Sequence, residues 1–206
     1  SIQLVNTHYS VLQEEKLLRL FRAQRPAGLI VTGINQTPDS RAVMESMNCP
    51  IVQIMETGPD PVDMMVGFSH SDAAFAAVSH LLDQGRRRIG FLGARMDPRV
   101  QRRLEGYRKA MKKAALLEPR LILTTQTPTS VSMGGVLFGD LLARAPDIDA
   151  VFCINDDIAL GALFECQRRQ IGVPDDIAII GFNDLEFMAA AVPSLSSVRT
   201  NRYEMG

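Results

Sequence analysis

Four arginines, Arg95, Arg99, Arg102 and Arg103, fall within nine residues, beside an Asp97-Pro98 pair that suits the start of a helix. Guanidinium groups gathered at a helix N-terminus would hold a carboxylate or a phosphate, since fixed N–H donors and the positive end of the helix dipole both favour an anion. The competing reading is a solvated basic helix face. Asn155-Asp156-Asp157 follows a second apolar run, and Asn155 offers a donor and an acceptor, which suits a pair of sugar hydroxyls. Asp156 reads most simply as a helix cap. Asn183-Asp184 follows a third apolar run and Ser69-His70-Ser71-Asp72 a fourth. Asp72 is either a cap alone or a cap that also reaches a ligand, and His70 taken singly reads as an exposed loop histidine.

Other chemistries lack their parts. The sequence holds no GxGxxG, no GxxxxGK[ST], no GxSxG and no HExxH, and its three histidines, His8, His70 and His80, form no spacing-based set with a serine and an aspartate. Asp156-Asp157 has no third carboxylate near it in sequence to suggest a metal. The chain therefore reads as a non-enzyme without metal or cofactor. Cys49, Cys153 and Cys166 are odd in number and widely spaced, which points to reduced thiols and a cytoplasmic setting. Twenty-two basic against twenty-three acidic side chains give a net charge of −1, so these residues lack the positive field of an autonomous nucleic-acid binder. No apolar run reaches the roughly 20 residues of a membrane helix, so no membrane partner is expected.

The elements that must position these residues alternate along the chain. Short, mostly continuous apolar runs at 2–6, 28–33, 50–55, 63–68, 88–93, 120–124, 149–154 and 176–182 read as strands buried on both faces. Between them lie helix-period segments. Ser10 with Gln13 fits a capping box ahead of Leu17, Leu18 and Phe21. Thr37-Pro38 opens a helix to about Met47, and Asp72 caps one that packs Phe75, Val78 and Leu82 inward and ends at Gly85. Val100, Leu104, Tyr107, Met111 and Ala114 line a helix opened by Asp97-Pro98, and two more run at about 133–143 and 156–169. An α/β protein of parallel sheets flanked by helices follows, with a first lobe at 1–86, rejoined by 197–206, and a second at 87–196. Residue 1 enters directly into the first expected strand, so the first lobe reads as incomplete. In open parallel sheets ligands bind at the carboxyl ends of strands, which is where the polar groups above fall.

The segments at 66–94, 102–111, 149–187 and 193–206 together resemble the effector domain of LacI/GalR transcription repressors. The run FCINDDIALGA, followed by GVPDDIAIIGF, is the most characteristic part, and LGARMD with GALFECQR is similar to the gluconate-utilisation branch. The resemblance implies a two-lobed periplasmic-binding-protein-like fold with an effector cleft between lobes. It implies chain crossings near 85–87, near 195–198 and beyond 206. It also implies a homodimer, and an operator-binding helix-turn-helix headpiece absent from this chain. By position it assigns effector contact to Arg103, Asn155, Asn183 and Asp72. Asn183 departs from the aspartate common there; with that charge gone and Arg95, Arg99 and Arg102 nearby, an anionic sugar acid such as gluconate is favoured over a neutral sugar. A periplasmic sugar-binding protein of a transport system is the main alternative, and an α/β enzyme acting on a sugar or nucleotide a third reading.

Overall fold

The computed structural model describes residues 2–206. In chain order its elements are α1 (Val11–Gln24), β1 (Leu29–Thr32), α2 (Pro38–Glu45), β2 (Ile51–Ile54), β3 (Met64–Val66), α3 (His70–Asp83), β4 (Ile89–Gly93), α4 (Pro98–Lys113), β5 (Ile122–Thr124), α5 (Val131–Arg144), β6 (Ala150–Cys153), α6 (Asp156–Arg168), β7 (Ala178–Asn183), α7 (Glu186–Ala190), β8 (Ser196–Arg199) and α8 (Arg202–Met205). They divide into two units, one running to Ser69 and joined by Asn201–Gly206, the other spanning His70–Thr200. The boundary therefore falls before α3 and not at residue 86. The return to the first unit begins at 201 and not at 197, because β8 pairs with β7 in the second unit. Ser1, the first residue of the expected first lobe, lies outside the described residues.

In the first unit, Ser10 caps α1 through Gln13 N at 3.2 Å, and Thr37 caps α2 through Ser40 N at 3.0 Å. The strands form a parallel sheet in the order β1-β2-β3. Leu18, Val43, Met44 and Met47 from the helices pack with Val31 and Ile51 of the sheet. The opposite face is open, with Ile30 at 71% exposure and Met64 and Val66 also exposed, so these strands are not buried on both faces as expected. Residues 2–6 form no strand: Ile2 and Leu4 are 99% and 97% exposed, and no ladder holds them. A β-rich segment without a neighbour to pair with has no reason to stay extended as a strand.

The second unit carries a five-stranded parallel sheet in the order β5-β4-β6-β7-β8. Here the expectation of strands buried on both faces holds for β4 and β6, every residue of which is buried. Phe91, Phe138, Phe152, Phe182 and Tyr107 fill the core, and the Tyr107 hydroxyl donates to the Ile89 carbonyl at 2.7 Å. Helix α3 belongs to this unit because it packs backbone to backbone on α4 at Gly106, where a Cβ would fall 2.1 Å from the Ser71 carbonyl oxygen. Its inward residues are Ala74, Ala77, Val78 and Leu81, one step round from the Phe75 and Leu82 expected. The short helix α7 and the turn of 3-10 helix at Pro119–Leu121 carry no periodic pattern in the sequence.

Candidate functional site

Helix α4 presents Arg103. Asp97 accepts from Arg99 N at 2.9 Å and Val100 N at 3.1 Å, fixing the first turn, and Pro98 occupies a position where its missing N–H costs nothing. From there the inward stripe Val100, Leu104, Tyr107 and Met111 carries Arg103 down with it, to 8% exposure. Contacts from several elements hold the guanidinium. Its Nε donates to His70 Nδ1 on α3 at 3.3 Å, and its Nη1 donates to the Ile154 carbonyl at the end of β6. The ring of Phe182 on β7 lies 3.7 Å below it, a cation–π distance. Because Ile154 precedes Asn155 and Phe182 precedes Asn183, this clamp sets Arg103 at the sheet edge where two of the expected contact residues emerge.

His70 is not the exposed loop residue expected from sequence. It opens α3 at 2% exposure, with its ring 5.9 Å from that of Phe182. Burial, and then the charges of Arg103, Arg99 and Arg102, push its pKa down to about 3. With Nδ1 accepting, the neutral ring carries its proton on Nε2. An unfolded chain would take up that proton near pH 6.5 while the folded one resists to about 3, so this group's contribution to stability is present above pH 6.5 and lost as pH falls. In urea unfolding, the stability advantage of the native chain over His70→Asn is expected to shrink by up to about 1.4 kcal/mol per pH unit below pH 6. A difference that stays level between pH 7 and pH 4.5 would contradict the buried, neutral imidazole.

The polar residues at the neighbouring strand ends are distributed differently from the expectation. Asn155, not Asp156, caps α6, its Oδ1 accepting from Ile158 N at 3.0 Å, so that oxygen is already committed to the backbone. Asp156 is fully buried. Its carboxylate accepts from Ser197 Oγ at 2.6 Å and from Leu185 N at 2.8 Å, tying β8 and the turn after β7 to the start of α6. Burial raises its pKa, and the hydrogen bonds from Ser197, Leu185 and Phe182 oppose the rise. The lack of a side chain at Gly181 makes room for it, since a Cβ there would lie 2.4 Å from Asp156 Oδ1.

Asn183 and Asp184 turn the chain through positive φ angles of 116° and 54°, and Asp184 pairs with Arg199 at 2.7 Å. Arg95 sits in the turn between β4 and α4 with φ 66°, its N–H donating to the Thr127 carbonyl at 2.8 Å. Arg99 and Arg102 reach His70 electrostatically. Asp72 is exposed within the first turn of α3, two residues beyond His70, and does not precede the helix as a cap. The structure thus brings Arg103 together with the chain at Asn155 and Asn183, places Arg99 in the same cationic field, and leaves Arg95 and Asp72 on adjoining turns. Sequence reasoning missed His70 and Phe182 as partners of Arg103. Their only signal was position, at the start of one helix and at the carboxyl end of one strand.

Among the described residues no group of three or more His, Cys, Asp or Glu side chains could hold a metal ion, and no helix is long and apolar enough to cross a membrane. Cys153 and Cys166 are buried, and burial raises both thiols, Cys166 to about 12, which removes them as nucleophiles at neutral pH.

A parallel α/β unit whose strand ends surround a clamped guanidinium has the build of a ligand-sensing domain of the periplasmic-binding-protein class. The family model described as "Periplasmic binding protein-like domain" matches residues 78–206. With the relatives that follow, this shows that the chain belongs to the LacI/GalR family of transcription regulators. It is 45% identical over 201 residues to the HTH-type transcriptional regulator GntR of Pseudomonas aeruginosa, a match covering 98% of this chain and 59% of the relative. It is 35% identical to the HTH-type transcriptional regulator IdnR of Escherichia coli, covering 98% of this chain and 61% of the relative. The crystal structure of transcription regulator GntR from Chromobacterium violaceum superposes with a TM-score of 0.95 at 40% identity, covering all of this chain and 75% of that one. The chain thus spans about three fifths of the length of the curated relatives it matches.

Proposed function

We propose that this chain is the effector-sensing and dimerisation domain of a cytoplasmic LacI-type repressor, and that its effector is a small sugar acid of the gluconate type. The observation that carries the reading is the buried guanidinium of Arg103 at the carboxyl edge of the second unit's sheet. A carbonyl, an imidazole and an aromatic face are among the groups that hold it in place. A carboxylate placed there gains charge-assisted hydrogen bonds away from bulk water, and a neutral sugar does not. Arg99, with Arg95, adds to the attraction, while Asn183 in place of an aspartate removes the repulsion. Asn155, Asn183 and Asp72 would engage the hydroxyls.

The effector would act on operator affinity only through its different affinity for the two states of the regulator. With a net charge of −1, these residues are poorly suited to grip DNA themselves. The relatives above are described as HTH-type, so operator contact is assigned to a headpiece outside this chain. Val136 on α5 and Phe164 on α6 are exposed apolar groups among the charged side chains of Asp140, Glu165 and Arg168, a mixed surface suited to a second copy. The relatives are transcription regulators, which favours this reading over a transport protein and over an enzyme.

Calorimetry tests the ligand class. Gluconate is expected to bind at least about 30-fold more tightly than glucose, the equivalent of roughly 2 kcal/mol for one desolvated charge pair. Equal affinities, or no heat with any sugar acid, would overturn the assignment.

A further inference from the structure

We propose that Asp156 is a positioning residue for the effector: its buried carboxylate, together with Ser197, holds the strained turn at 183–185 so that Asn183 meets the ligand in one preset orientation. The proposal deepens the sugar-acid reading and rests on it for the ligand and for Asn183 as a contact.

The turn after β7 takes a course that its residues do not favour. Asn183 has φ 116°, beyond the left-handed range of about 50–70° in which most such asparagines fall, and Asp184 follows at 54°. Two successive residues of this kind, neither of them glycine, persist only where the surroundings over-determine the backbone. Groups from α6 and from β8 do so here. Leu185 N donates to Asp156 Oδ2 at 2.8 Å. Asp184 N donates to Ser197 Oγ at 3.0 Å, and the Asn183 carbonyl accepts from Thr200 Oγ1 at 3.5 Å. Arg199 pairs with the Asp184 carboxylate at 2.7 Å.

Asp156 is the centre of this set. Its carboxylate takes hydrogen bonds from Leu185 N, from Ser197 Oγ at 2.6 Å and from the backbone at Phe182, so it grips both sides of the turn. Because the Ser197 hydroxyl proton points to Asp156 Oδ1, the lone pairs of Oγ are left to accept from Asp184 N. One carboxylate thereby fixes residues 184 and 185 together. The helix that follows does not need it as a cap, since Asn155 already fills that role through Ile158 N. A buried carboxylate is costly unless donors surround it, and this one has them because Gly181 leaves the space in which it sits. Strain of this kind is stored where a side chain must be aimed, and the residue with the least favoured backbone is the one assigned to the ligand.

The test is a double-mutant cycle in the full-length protein, with Asp156→Asn, Asn183→Ala and the two combined titrated with gluconate and with glucose. Asparagine keeps the size of the side chain but has one acceptor oxygen for three donors. Asp156→Asn is expected to weaken gluconate binding about 10-fold, the loss of one hydrogen bond to a charged group. Glucose should weaken by the same factor, because Asn183 engages hydroxyls that both sugars carry; a loss confined to gluconate would overturn the proposal. With Asn183→Ala already present, Asp156→Asn is expected to change gluconate affinity less than about twofold, since the contact it positions is gone. A purely structural role predicts the same loss in both backgrounds, and that result, or full affinity in Asp156→Asn, would also overturn it. Should Asp156→Asn fail to fold, Ser197→Ala, which removes the acceptor for Asp184 N, takes its place with the same expectations. Hydrogen exchange at the Asp184 and Leu185 amides, followed by NMR without ligand, reads the positioning independently. Faster exchange there with the amides of β4 and β6 unchanged supports it, and unchanged exchange at the turn overturns it. Should the unmodified protein bind no sugar acid, the functional reading falls, and the exchange rates still decide whether Asp156 holds the turn.

Discussion

Arg103→Ala is expected to weaken gluconate binding by roughly 30-fold at the least and by several thousand-fold at the most, the range of about 2–5 kcal/mol seen when one partner of a desolvated charge pair is removed. The effect is large because the site supplies few substitutes. Arg95 and Arg99 are only partly buried on neighbouring turns, where water screens their charge, whereas Arg103 is 8% exposed. Arg103→Lys separates charge from geometry. An ammonium cannot bond His70 and Ile154 as the planar fork does, so most of the loss is expected to remain although the net charge is unchanged. Glucose binding, weaker from the start, should change far less in either variant. Calorimetry with both sugars, alongside urea unfolding to confirm that each variant is folded, checks the result. Gluconate affinity left within a few-fold of the original by Arg103→Ala would remove the physical basis of the anionic site.

How much of this could be read from residues alone follows from the range of the interactions involved. Ser10, Thr37 and Asp97 act on N–H groups two or three residues away, and each caps the helix that its spacing indicated. The strand positions at 29–32, 51–54, 89–93 and 150–153 rest on local apolar runs and also matched. Segment 2–6 has the same local character and failed, since a strand exists only by pairing and pairing is not local. Asn155 and Asp156 exchanged roles for a related reason. Both residue types favour caps, and what separates them is that Asp156 meets Ser197 and Leu185, partners 41 and 29 residues further on. For Arg103, family resemblance indicated contact with an effector, but His70, Ile154 and Phe182, which hold it, come from α3, the end of β6 and β7, far from it in sequence. His70 illustrates the limit most clearly: beside Ser69 and Ser71 it has the look of a surface loop, and only the packing of α3 on α4 buries it.

That packing makes Gly106 the position where stability and ligand affinity should fail together. Substituting alanine for a mid-helix glycine stabilises a helix by about 1 kcal/mol on propensity alone. At Gly106 the added Cβ would sit 2.1 Å from the Ser71 carbonyl oxygen, 2.9 Å from Ala74 Cβ and 2.9 Å from Phe75 N, and none of these is the end of a flexible side chain. The clash wins. Helix α3 must shift away from α4, and overpacking of this kind costs typically about 1–3 kcal/mol and occasionally more, so Gly106→Ala is expected to lower unfolding free energy by at least about 1 kcal/mol. The same shift lengthens the bond from Arg103 Nε on α4 to His70 Nδ1 on α3, which is already 3.3 Å long. Gluconate affinity is therefore expected to drop by about 10-fold in folded Gly106→Ala, the size of effect expected for one weakened hydrogen bond to a charged group. Gly139 on α5 is the matched control. Its nearest neighbour is the flexible tip of Arg169 at 3.3 Å, so Gly139→Ala gains the helix propensity without a rigid clash and should be neutral or slightly stabilising, with binding unchanged. If urea unfolding and gluconate titration find the two variants alike, the close approach of α3 to α4 is not what holds His70 against Arg103.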